Sequence, residues 1–498
     1  MTYARLTHWF PLSCSLGLLA LSLLDSVQQN HSLWLSFIGA AALVAIGNVA
    51  LVTWARRVRR TLSFTIALRR QHYLQACAQA SVLLYWGLYW PPVFDSLHLI
   101  AAQLLFAYGF DMLLGWSRRD AYTLGFGPFP VVFSINLFLW FKPDWFYFQF
   151  LMIALGFAAK ELITWNRDGR PTHVFNPSSF PLAIFSLAMI LTGTSGLTWG
   201  PEIASTQFYP PHMYLMLFLV GLPGQALFGV ASMTMSAVVT TYLFGLVYYA
   251  ATGIYFFYDS YIPIAVFLGM HLLFTDPSTS PRTELGRITF GVLYGLSTVV
   301  LYQLLGSAGL PTFYDKLLQV PLLNLAVRWL DSAARSHWLR AIDPASIGGW
   351  LAPYQRHLAY LCLWTMVFAG MSTAGAVGDN HPGQWLPFWR EACEREQPDA
   401  CRYLRDVQAG FCNRGSSWSC HELDILDARQ GYSRTMSESP TLDDFPIILR
   451  GSKGPLAERT PEALYALACR QGWPGTCAAT SSASPASARK GLQSRTNP

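Results

Sequence analysis

Apolar runs long enough to cross a bilayer recur from Phe10 to about residue 378, with only short loops between them, and no other feature restricts the fold as much. A hydrocarbon core of ~30 Å takes ~20 mostly apolar residues per helix. Such spans are read near 9–25, 32–54, 74–92, 97–116, 125–142, 144–163, 178–193, 212–231, 236–257, 261–275, 288–307 and 355–378, the shortest being compatible with half-helices. The stretch Lys316–Trp329, interrupted by Arg328, reads as an interfacial helix or part of a further span. Charged residues make up 12% of the chain, against roughly 25% in an ordinary soluble domain, so lipid is the solvent this surface needs. The fold class is therefore all-α: a polytopic transmembrane helical bundle over 1–378, then a small disulfide-bridged helical-repeat domain over 385–478, then a Ser-, Ala- and Arg-rich disordered tail over 479–498.

Positive charge sits in short loop clusters: Arg56–Arg60 after the second span, Arg118-Arg119 after the fourth, Lys160–Arg170 after the sixth and Arg282–Arg287 after the tenth. Loops such as Asp25–Ser32 and Trp90–Ser96 carry no Lys or Arg. Under the positive-inside bias, the amino terminus and the even-numbered exits face the cytoplasm of a bacterial inner membrane. Scattered clusters are no footprint for nucleic acid. The run Phe10–Leu24 is preceded only by Arg5 and followed by the poor cleavage site Asp25-Ser26-Val27, which favours an uncleaved first helix.

Two loops carry chemistry. In Arg170–Phe180, Asn176-Pro177-Ser178-Ser179 is a helix-start signal, because Asn caps and Pro suits the first turn. It is either a plain cap or, at a membrane edge, an anion site built from free N–H groups and the dipole. In Thr275–Arg287, the carboxylate of Asp276 ends an apolar run and needs a partner, for which Arg282 and Arg287 are the candidates. The hydroxyls of Ser278, Thr279 and Ser280 with those arginines suit phosphate, while the bland reading is a tight turn. Asp111, His98 and His271 are further polar residues inside spans, none spaced as a metal pair.

The strings His173–Phe180 and Thr275–Pro281, with Gly286-Arg287, Phe290-Gly291 and Gly309–Leu318, resemble the RnfD/NqrB membrane family over roughly 150–330, closest to its enediyne-biosynthesis-associated branch. These are subunits of Rnf and sodium-pumping quinone-reductase electron-transport complexes. The resemblance implies a helical bundle that carries electrons through a flavin, FMN or riboflavin, coupled to ion translocation and joined to other redox-complex subunits. It implies cofactor contacts from His173, Asn176, Ser178, Ser179, Asp276, Ser278, Thr279, Ser280, Arg282 and Arg287. Family members attach FMN through a threonine in a Ser/Asp-Gly-Ala-Thr motif. The nearest string here is Ser195-Gly196-Leu197-Thr198, with Leu for Ala, making Thr198 the attachment candidate ahead of Thr192, Thr194 and Thr234.

Beyond Ala376 the composition turns polar and six of the nine cysteines appear. Cys393/Cys401, Cys412/Cys420 and Cys469/Cys477 share one spacing of eight, which suits a bridge between the end of one helix and the start of the next. Zinc favours closer Cys pairs with His, and only His421 is near. The strings resemble cysteine-rich Sel1-like repeats, which implies a surface docking a periplasmic protein partner. Disulfides need an oxidising compartment, so the domain faces the periplasm and the number of crossings is odd, one different from the twelve spans read above. Cys14, Cys77 and Cys362 are read as inert packing residues within spans. The competing functions are a non-redox transporter and a membrane-anchored scaffold.

Overall fold

The computed structural model describes residues 9–377 except 168, 208, 209, 211, 253–255, 258, 259, 348 and 350, and then 393, 401, 404, 405, 408, 409 and 417–429. Its principal elements are α1 Phe10–Leu21, α2 His31–Arg57, β1 Ser63–Ile66, α3 Arg70–Gly87, α4 Leu97–Arg119, β2 Ala121–Leu124, α5 Pro128–Asn136, α6 Tyr147–Leu162, β3 Thr164–Arg167, β4 Arg170–His173 and α7 Ser179–Thr192. There follow α8 Met213–Phe228, α9 Ala231–Thr252, α10 Ile264–Leu268, α11 Glu284–Ser307, α12 Gln319–Ala334, α13 Pro353–Thr373 and α14 Ser417–Arg429. Among the described residues α2, α4, α9 and α11 are long and apolar enough to cross a membrane. Their outward faces carry bare side chains such as Leu43, Ile46, Val247, Val300 and Leu304, the pattern of a surface solvated by hydrocarbon.

The structure is mostly helical, as expected, and adds two short strand pairs. β1 pairs with β2 in parallel, and β3 with β4 antiparallel. Both pairs form where chain segments leave helices side by side, and the ladders satisfy backbone groups that a helix end leaves unpaired. Trp116 braces the first pair by donating its indole N–H to the Ser63 carbonyl at 2.9 Å, and Arg60 reaches Asp120 at 2.5 Å.

Two of the twelve spans read from sequence are not continuous α-helices. Helix α5 covers only 128–136 of the span read at 125–142, and 137–141 stays buried without helical structure. Side chains and distant backbone replace the missing ladder: Gln149 Oε1 accepts from Phe141 N, Gln207 Nε2 donates to Leu137 O, and Trp199 N donates to Trp140 O. Irregular backbone at this depth persists only where protein satisfies it. The span read at 261–275 is the five-residue α10 followed by a π-helical turn over Gly269–Leu273, every residue of both being buried. The stretch read as an interfacial helix or part of a further span is the amphipathic α12. Leu322, Leu325 and Trp329 point outward, while Asn324, Val327 and Asp331 are buried.

Contacts divide the chain into two compact units. The first holds 1–207, 215–240 and 264–366; the second holds 208–214, 241–263 and 367–498. Within the second, Tyr214 donates to the Ile262 carbonyl at 2.7 Å, and Phe244, Tyr248 and Phe256 form an edge-to-face ring cluster. Cys393 and Cys401 are joined as a disulfide, Cys420 is also disulfide-bonded, and Arg405 pairs with Asp427 at 2.6 Å. Cys412, Cys469 and Cys477, with the rest of the repeat region, lie outside the described residues.

Candidate functional site

The two motif loops meet in space although about a hundred residues separate them. Asn176 is the central staple. Its amide nitrogen donates to the Leu273 carbonyl at 2.9 Å, at the end of the π turn, and its Oδ1 accepts from Ser178 N, Ser178 Oγ and Ser179 N. That is the helix-start role expected of Asn-Pro, and it opens α7. Asn324 of α12 holds both loops together, accepting from Asn176 N and donating to the Thr279 carbonyl, each at 3.2 Å.

Asp276 finds its partner in the other loop. His173 Nε2 lies 3.1 Å from its Oδ2, which also accepts from the Thr279 hydroxyl, while Oδ1 accepts from Ser278 N at 3.0 Å. Burial alone would raise this carboxyl, but His173, the Ser278 N–H and Thr279 outweigh burial and hold it below the ordinary carboxylate value.

The expectation that Arg282 or Arg287 neutralises Asp276 is therefore corrected. The Arg282 and Thr283 backbone N–H groups donate to Asp331, and Arg287 pairs with Glu284 at 3.4 Å and donates to the Pro281 carbonyl. The organising arginine is Arg167, at the end of β3. It donates to the Ser278 and Ser280 carbonyls and to Asp331 Oδ2 at 2.7 Å, with both charged side chains buried. Arg167 and Asp331 escaped sequence reading because neither lies in a motif. A signal did exist: Asn324, Val327 and Asp331 fall at helical spacing on one face of α12.

Between the loops and the start of α5 opens a cleft of about 90 Å³. Gln71, His72 and Gln75 of α3, Gly127, Lys160 of α6, His173, Ser178, Phe228 and Asp276 are among its lining residues. His72, ahead of the apolar part of α3, is lowered to about 4 by burial and by the charges of Lys160 and Arg69, so it is neutral at pH 7. The Lys160 ammonium lies 5.4 Å over the Phe157 ring and has no carboxylate in ion-pair reach among the described residues. Among the described residues it is thus a positive charge on the cleft wall with no ion-pair partner.

Of the residues read from sequence, His173, Asn176, Ser178, Asp276 and Ser278 line the cleft. Ser179 and Ser280 are buried and donate to the carbonyls of Asn176 and Asp276, so they support it from behind. Thr279 bonds Asp276, and the Arg282 and Arg287 side chains are not among the lining residues. Thr198 lies beyond the far end of α7, a helix ~21 Å long, where its hydroxyl donates to the Ser195 carbonyl at 3.1 Å. Thr192 and Thr194, at that same far end, bond each other at 2.7 Å. A flavin phosphate in the cleft and one tethered at Thr198 would thus occupy different sites.

A second cleft of about 130 Å³ is lined by Trp90, Asp95, Gln103, Asn136, Trp140 and Trp199 among others. Helix α5 runs from one cleft to the other, with Gly127 and Pro130 at the first and Asn136 at the second. The fold and site together define a helical membrane protein with a polar cleft built on broken helices. No protein-family model, curated protein or solved structure matches the chain.

Proposed function

We propose that the chain is an integral membrane electron-transport subunit of the RnfD/NqrB kind, holding the anionic end of a flavin in the cleft between its two motif loops. The observation that carries this reading is the meeting of those loops, His173 to Asp276 at 3.1 Å and Asn176 to Leu273 at 2.9 Å, beside the Lys160 ammonium. A cleft of about 90 Å³ is small against the ~300–1,000 Å³ of whole-ligand pockets. It suits a phosphate group, so FMN fits better than riboflavin and its ring system lies outside the cleft. Lys160, Ser278, Gln71 and Gln75 supply the charge and donors toward the phosphate. A bound flavin would supply one- and two-electron chemistry; the chain's own residues hold and orient its anionic end. In this reading the cleft faces the cytoplasm of a bacterial inner membrane, and the carboxy-terminal region, whose Cys393–Cys401 bridge suits an oxidising compartment, docks a protein partner in the periplasm.

The test is absorbance, fluorescence and mass spectrometry of the purified chain. A flavin should co-purify and be lost or weakened at least tenfold in Lys160→Ala. A colourless protein that takes up no added FMN overturns the reading. One observation favours a second reading, a non-redox transporter: α5 is a half-helix linking two clefts, a layout shared with transporters built on discontinuous helices. Substrate-dependent flux in vesicles by flavin-free protein would select it.

A further inference from the structure

Close to the cleft-lining Phe228, two buried polar side chains that both pack against Gly221 hold atoms with no hydrogen-bond partner among the described residues. His271 is 2% exposed, and its ring has one nitrogen engaged: Nδ1 lies 2.7 Å from the Phe267 carbonyl and so carries the proton, leaving Nε2 a bare acceptor. Gln225 of α8 is 1% exposed, and neither its Oε1 nor its Nε2 has a hydrogen-bond partner. Both pack closely against Gly221. A Cβ built there would lie 3.1 Å from His271 Cδ2, the ring carbon next to Nε2, and 3.3 Å from Gln225 Nε2. His271 sits in the π-helical turn Gly269–Leu273, and such turns are often retained at functional sites.

Donor and acceptor counting decides what can satisfy both side chains. The pair offers two acceptors, His271 Nε2 and Gln225 Oε1, and one amide donor group. A direct bond from the Gln225 amide to His271 would close one acceptor and leave Oε1 buried and unmet. A molecule that donates twice and accepts once closes all three, and an apolar or purely accepting ligand does not. We propose that His271 and Gln225 form a water-binding site. It gives the bundle a hydrated basic nitrogen just inside the cleft, three residues along α8 from the cleft-lining Phe228. A buried water needs two to four polar partners, and this site supplies them. The proposal stands independently of the flavin reading, because it uses none of that reading's residues.

Radiolytic hydroxyl-radical footprinting of the full chain in nanodiscs, read by mass spectrometry, tests it, because radicals made from bound water label the side chains touching it. His271 should be modified at a rate comparable with the exposed His31, despite its burial. Labelling should drop several-fold in Gln225→Leu, and in Gly221→Ala, which crowds a methyl group against both side chains, while His31 is unchanged. Background labelling of His271 in the wild-type protein means a dry side-chain contact and overturns the proposal. So does labelling that persists in both variants.

Discussion

At the scale of single residues, charge neutralisation in a low-dielectric interior governs the site. Arg167 and Asp331 are both buried, and Asp331 accepts from Arg167, from the Arg282 and Thr283 N–H groups and from the Thr283 hydroxyl. Removing one member leaves the other charge buried and uncompensated, which costs about 3–5 kcal/mol. Arg167→Met and Asp331→Asn should each lower the unfolding midpoint in detergent strongly, and the double variant should lose less than the sum of the two. His72 gives a pH signature. Its folded value of about 4 lies below the ordinary 6.5, so between these values the unfolded chain binds more protons. Stability from this group is whole above pH 6.5 and falls as pH drops toward 4. His72→Gln should flatten that part of a stability-versus-pH curve. Asp276, held low, adds its own loss only in stronger acid, below 3.8.

At the scale of elements, close approach replaces the hydrophobic drive that lipid removes. Gly156 of α6 lies under the Asn176-Pro177 turn, where an added Cβ would meet the Pro177 carbonyl oxygen at 2.2 Å. Gly291 of α11 would place a Cβ 2.2 Å from the Met233 carbonyl of α9. Small residues at such crossings let helices touch backbone to backbone. Gly156→Ala and Gly291→Ala should each destabilise by about 1–3 kcal/mol, the usual range for overpacking. Only Gly156→Ala should also disturb the cleft, read as a loss of ligand binding beyond the loss of folded protein. Helix α12 shows the same inversion: its polar Asn324 and Asp331 face the bundle while Leu322, Leu325 and Trp329 face outward.

At the scale of the whole molecule, disulfide chemistry gives the compartment of the carboxy-terminal region a direct test. A bridge closing an eight-residue separation stabilises locally by ~2–3 kcal/mol in the loop-entropy account. It persists only where thiols are oxidised. In intact cells, reduction followed by a membrane-impermeant thiol reagent should label Cys393 and Cys401 from outside. Labelling only after lysis would put the region in the cytoplasm.

Two kinds of information made this protein. Hydropathy is a sum along the chain, so the membrane-solvated helical class, the helix start at Asn176 and the need of Asp276 for a partner were legible from sequence. Cys393 and Cys401 were paired by spacing alone, as the structure has them. Partner choice is a property of space. That His173 rather than Arg282 meets Asp276, that Arg167 and Asp331 hold the second loop, and that 137–141 and 269–273 abandon the α-helix depended on which unpaired groups the packed bundle brought within hydrogen-bond reach. Residues far apart in the chain supply those partners, and no local pattern encodes the distance between them.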